Sequence, residues 1–145
     1  MAIRLADAEA TEAFGRALAP LLRVGDAVAL AGPLGAGKTT LARGVLRGLG
    51  FAGDVASPTF PIVQPYDTEP PLWHVDLYRI EQPGELAELG LDEARAEAAM
   101  LIEWPERLAP PWLDLLVLTL ALAGDGARAL TCAVPPAWEA RWPPR

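Results

Sequence analysis

Residues 28–49 read VALAGPLGAGKTTLARGVLRGL, and their order decides the fold. A short apolar run, Val28 to Ala31, leads into a glycine-rich loop, and the loop leads into a segment whose apolar residues follow helical spacing. Gly32, four further residues, and then Gly37-Lys38-Thr39 complete the P-loop pattern. Glycines let the backbone curl so that successive N–H groups point inward at phosphate oxygens. A helix starting near Lys38 adds its positive end. Lys38 then reaches the outer phosphates, and the Thr39 hydroxyl is placed to ligate Mg²⁺. Lys38 is also the only lysine in the chain, every other basic residue being arginine. The one slim point charge sits where a phosphate needs it.

Working outward, 145 residues predict one domain, and 52% apolar content is enough for a packed core. The longest apolar run, Leu115 to Ala123, is too short to span a bilayer and contains Thr119. The opening MAIRLADAEATEAFG carries acids where a signal peptide needs a long apolar stretch, so a cytoplasmic location is expected. Cys132 stands alone, which excludes an internal disulfide and a cysteine metal site. A formal net charge of −7 argues against a main nucleic-acid-binding surface. If the protein works on RNA, another subunit is expected to hold it.

Asp7 can cap a first helix over residues 8–19, and Ala10, Phe14, Ala17 and Leu21 give it one apolar face. The P-loop helix should run from Lys38 to Leu49 and stop at Gly50. Residues 62–66 and 72–78 read as strands of an antiparallel hairpin. In the second, Trp73, Val75 and Leu77 take one face and His74, Asp76 and Tyr78 a polar one. Pro83 opens a short helix ending near Gly90, a further helical piece follows over 92–97, and residues 98–103 form an apolar strand ending in Glu103. Residues 113–122 and 127–134 flank Gly124-Asp125-Gly126 as another hairpin, and the Trp/Pro-rich tail reads as a short docked helix. One β-loop-α unit among hairpins predicts an α/β, P-loop NTPase-like domain with a mixed parallel and antiparallel sheet flanked by helices.

A P-loop needs a carboxylate on the metal side, usually at the end of a neighbouring apolar strand. Glu103 and Asp76 both qualify. Glu103 ends the cleaner run and is read as the metal-side acid, with Asp76 holding a metal-bound water or orienting the attacking one. Ser57 and Thr59 suit either γ-phosphate contacts or an ST-turn. His74, the only histidine, suits a proton relay or a hydrogen-bonded strand position. Arg79 suits a phosphate, a partner or a solvated strand end, and Trp104 packing beneath the site. The guanine-reading element N-K-x-D needs a second lysine that this chain lacks, so ATP is favoured over GTP.

At this point the motifs resemble the bacterial TsaE (YjeE) family. The matching stretches, in order, are Gly32-Pro33-Leu34-Gly35-Ala36-Gly37-Lys38-Thr39-Thr40, Ser57-Pro58-Thr59-Phe60, His74-Val75-Asp76-Leu77-Tyr78-Arg79, Glu88-Leu89-Gly90-Leu91-Asp92 and Ile102-Glu103-Trp104-Pro105-Glu106. The resemblance implies ATP bound by Gly35 to Thr40, Mg²⁺ held by Thr39 and Glu103, a functional Asp76, a switch-like Ser57–Thr59 segment and a nucleotide-pocket contact from Thr11. It also implies action with the TsaD and TsaB proteins on the adenosine next to the tRNA anticodon, the partners holding the tRNA. Many members carry Gly-Arg near the last hairpin, whereas here Gly126 is followed by Ala127 and then Arg128. Competing expectations are a small-molecule kinase, which usually needs an arginine-rich lid that residues 50–66 lack, and a nucleotide-binding interaction module without turnover.

Overall fold

The computed structural model describes residues 2–33, 35–55 and 62–144. Its strands are β1 (Ala2–Leu5), β2 (Ala27–Ala31), β3 (Val63–Tyr66), β4 (Leu72–Asp76), β5 (Ala99–Glu103), β6 (Leu116–Leu122) and β7 (Arg128–Ala133). The helices are α1 (Ala8–Leu18), α2 (Lys38–Gly48), α3 (Pro83–Glu88), α4 (Leu91–Arg95) and α5 (Pro136–Glu139). One seven-stranded sheet runs in the order β1-β7-β6-β2-β5-β4-β3. The central pairs β6–β2, β2–β5 and β5–β4 are parallel, and β3, β7 and β1 add antiparallel edges. The mixed sheet and both hairpins are as the sequence predicts, and β1 is an addition to it.

The P-loop strand β2 lies mid-sheet, covered on both faces, which explains its unbroken apolar run. On one face α1 and α2 cover a core that includes Leu18, Leu41, Val45, Leu46, Val28, Leu30 and Leu101. On the other, a smaller core of Ala27, Val75, Leu77, Ile80, Leu91, Met100, Ile102 and Leu108 lies under α4 and residues 104–115. Asp7 caps α1, its Oδ1 accepting from the Ala10 N–H at 2.8 Å. The α1–α2 contact is made by glycines: a methyl group added at Gly15 would overlap the Leu41 carbonyl, and one at Gly44 the Glu12 carbonyl. The tail docks as expected. Trp138 is buried in the α1–α2 core, and Arg141 stacks on its ring at 4.0 Å while bonding Asp26 at 2.7 and 3.0 Å. No helix among the described residues is long and apolar enough to cross a membrane.

The alternation of β4 stands as expected, and its polar face is buried: His74 is 0% and Asp76 6% exposed, and only Tyr78, past the strand end, is open at 56%. β3 pairs outside β4, so β4 is an interior strand, and the face carrying His74 and Asp76 continues the one that Leu72 packs into the α1–α2 core.

Candidate active site

Strand alternation aims the candidate residues. Leu72 and Leu101 point into the α1–α2 core, so His74 and Asp76, and likewise Glu103, follow on the same face toward the strand ends. Register then clusters them: Asp76 lies opposite Glu103 across β4–β5, and Glu103 opposite Leu30 across β5–β2. The loop after β2 crosses these strand ends and closes into α2 at Gly37, whose φ of 106° suits glycine. The helix therefore starts facing the acids.

Lys38 is 8% exposed. Its Nζ donates to the Gly32 carbonyl at 2.8 Å, lies 4.0 Å from Glu103 Oε1 and sits 5.1 Å from the centre of the Trp104 ring. Trp104 takes φ 60°, a left-handed conformation unusual outside glycine that holds the indole beside the lysine. Glu103 is 3% exposed. Its Oε2 lies 2.8 Å from His74 Nε2. An ionised carboxylate only accepts, so the ring carries its proton on Nε2 for this bond. His74 is thus the hydrogen-bonded strand residue of the two readings given above. Asp76 Oδ1 accepts from the Tyr78 N–H at 2.9 Å. Burial pushes the Asp76 carboxyl above its usual range and the Glu103 charge adds to this, against the Tyr78 bond, His74 and Lys38.

These residues open onto a cleft of about 740 Å³, lined by Pro33, Gly35, Gly37, Lys38, Thr39, Thr40, Asp76, Tyr78, Glu103, Trp104 and Arg128. That is the size of a cofactor site. A separate recess of about 70 Å³ adjoins it between α1, the P-loop and the last hairpin, lined by Ala8, Thr11, Gly37, Thr40, Gly126 and Arg128. Thr11 is 1% exposed and its hydroxyl donates to the Asp7 carbonyl at 3.3 Å. Lys38, Thr39, Thr40, Asp76, Glu103 and the loop glycines therefore line one cleft, with Thr11 in the recess beside it; Ser57 and Thr59 fall outside the described residues. Sequence reasoning missed Arg128 as a lining residue. Its sequence signal was an arginine one residue displaced from the family's Gly-Arg at the last hairpin, and its loop partners are 92 and 93 residues away.

The donor set fits Mg²⁺ held with phosphates rather than alone. Among the described residues no three His, Cys, Asp or Glu side chains converge to cage a metal. Instead a threonine hydroxyl and two buried carboxylates meet at a helix start, and Mg²⁺ usually completes such a shell with phosphates and waters.

The family model for Threonylcarbamoyl adenosine biosynthesis protein TsaE matches residues 5–129. The tRNA threonylcarbamoyladenosine biosynthesis protein TsaE of Bacillus subtilis is 39% identical over 133 residues, 88% of this chain and 82% of that protein. The protein of the same name in Streptomyces coelicolor is 49% identical over 96 residues, and the match spans 63% of this chain and 65% of that protein. The crystal structure of Bacillus subtilis YdiB superposes with a TM-score of 0.82 at 33% identity, covering 97% of this chain and 89% of that one.

Proposed function

This chain belongs to the TsaE family of tRNA threonylcarbamoyladenosine biosynthesis proteins, and from that premise we propose that it binds ATP with Mg²⁺ and hydrolyses it slowly, acting with TsaB and TsaD partners in the cytoplasm. The observation that carries the reading is the meeting of the single lysine and two buried carboxylates at one helix start above a cleft of about 740 Å³. Loop N–H groups from Gly35 to Thr40 take the phosphates, and Lys38 exchanges the Gly32 carbonyl for phosphate oxygens. Thr39 and Glu103 hold Mg²⁺, which when bound neutralises charge on the phosphates. His74 keeps Glu103 Oε2 occupied and leaves Oε1 on the Lys38 side. Asp76, with one oxygen fixed by the Tyr78 N–H, orients the attacking water. Besides Lys38, the only described basic residue lining the cleft is Arg128, and its guanidinium is engaged by backbone carbonyls. Charge stabilisation in the transition state then falls to a partner, and the lone chain turns over slowly. The net charge of −7 fits a division of labour in which partners hold the tRNA.

Phosphate release measured with and without the TsaB–TsaD pair tests this. Stimulation by the pair, abolished in Lys38→Ala, is the expected result. No stimulation at any stoichiometry would overturn the coupled ATPase, and phosphate transfer to a small hydroxyl compound would make the protein a kinase.

A further inference from the structure

Arg128 opens β7 and is held by both neighbours, opposite Leu122 of β6 and Leu5 of β1. Its backbone is therefore a fixed anchor, and the guanidinium reaches from it to the far side of the P-loop. Nε donates to the Ala36 carbonyl at 2.9 Å and one terminal nitrogen to the Gly35 carbonyl at 3.1 Å. The other terminal nitrogen donates back to its own hairpin, at 3.1 Å to Gly126 and 3.2 Å to Ala127. The group spans loop and sheet, and four bonds occupy nearly all of its donors.

The loop needs such a partner. A backbone that turns its N–H groups toward a phosphate turns carbonyls away from it, and a buried carbonyl must be paired. Ala36 is fully buried, so its carbonyl meets the arginine. A planar fork can hold two successive carbonyls at a set spacing; a lysine, as a point donor, cannot. The β6–β7 turn, with φ of 84°, 53° and 79° at Gly124, Asp125 and Gly126, folds residues 126–128 toward the loop.

We propose that Arg128 is a positioning residue that braces the Gly35 and Ala36 carbonyls and so holds the P-loop open for phosphate before nucleotide arrives. It acts through the loop, since four of its five N–H donors are committed to backbone carbonyls. Its consequence for nucleotide rests on the ATP-binding reading above; the brace itself does not. A preformed loop favours every phosphate-bearing state alike, so the effect belongs in KM and not in kcat.

Two measurements on wild type, Arg128→Gln and Arg128→Lys test it. In nucleotide-free protein, hydrogen exchange at the amides of residues 35–38 should quicken about tenfold in both variants, with the α1–α2 core unchanged. ATP and ADP should each bind about tenfold more weakly, by the same factor, with the loss in KM, and lysine should not rescue. Unchanged loop exchange in both variants overturns the brace, as does a lowered melting temperature with nucleotide affinity intact. Loss of ATP but not ADP affinity, or loss in kcat alone, also overturns it by making Arg128 a direct phosphate or catalytic contact. Wild type that binds neither nucleotide refutes the ATP reading instead, and the exchange result still decides the brace.

Discussion

On one face of the sheet, α1 and α2 touch backbone to backbone through Gly15 and Gly44, over a core that runs from Leu5 to Trp138. On the other face, α3 has no fully buried side chain, only the half-buried Leu86, and a cleft of about 480 Å³ lies between α3, α4 and residues 108–112. Lys38, His74, Asp76 and Glu103 all belong to the first face. Bringing like and unlike charges together out of water is tolerated only where neighbours fix their geometry. The close-packed face supplies that constraint, and the buried part of the looser face holds only apolar side chains among the described residues.

Glycine substitutions give the hardest test. Gly44→Ala forces a methyl group into the Glu12 backbone, and after the gain in helix propensity it should still cost about 2 kcal/mol in urea unfolding. Gly84→Ala in α3 meets nothing within 4 Å and should be neutral or slightly stabilising. Equal costs would break the contrast between the faces.

A second test asks whether the charged groups strain the tight face. Asp76 has a carboxyl raised by burial. Its stabilising contribution is complete below the ordinary carboxylate range and disappears as pH rises through the raised folded value. Asp76→Asn keeps an oxygen for the Tyr78 N–H and loses the ionisation. In the absence of Mg²⁺ the variant should melt higher than wild type at neutral pH, the gap closing in acid, while hydrolysis is lost. A gap independent of pH would assign the effect to packing. Glu103→Ala should remove the Mg²⁺-dependent tightening of ATP binding, read by titration with and without metal. Equal dependence in wild type and variant would hand the metal to Asp76.

The smallest effect belongs to the looser side. Arg95 bonds Asp114 at 2.7 and 3.2 Å and holds its carboxyl below the usual range. That contribution is present above the ordinary carboxylate value and is lost as pH falls through the lowered one. Asp114 is 52% exposed, so Asp114→Asn should cost about 0.5 kcal/mol or less at neutral pH and nothing in strong acid.

What the sequence told of this molecule was what lies close along the chain. The P-loop, the Asp7 cap, the two hairpins and the Glu103 strand end each rest on residues within one element or turn, and each stands where expected. What escaped depends on pairing at a distance. β1 is four residues whose strand character comes from β7, at the other end of the chain. The burial of His74 and Asp76 depends on what packs over that face of the sheet, which alternation alone does not reveal. The Gly15–Gly44 contact and the reach of Arg128 join segments whose sequences carry no mark of each other.

The brace from Arg128 also has a place in time. Ala36 is synthesised 92 residues before the arginine that holds its carbonyl. At ordinary elongation rates, about 5–20 residues per second, the nascent chain carries its phosphate loop for about 5–18 s before that support exists. For most of that interval β2 has neither neighbour, because β5 ends at Glu103 and β6 at Leu122. A chain cut short before Arg128 would carry the whole phosphate-binding motif and lack the side chain that braces it.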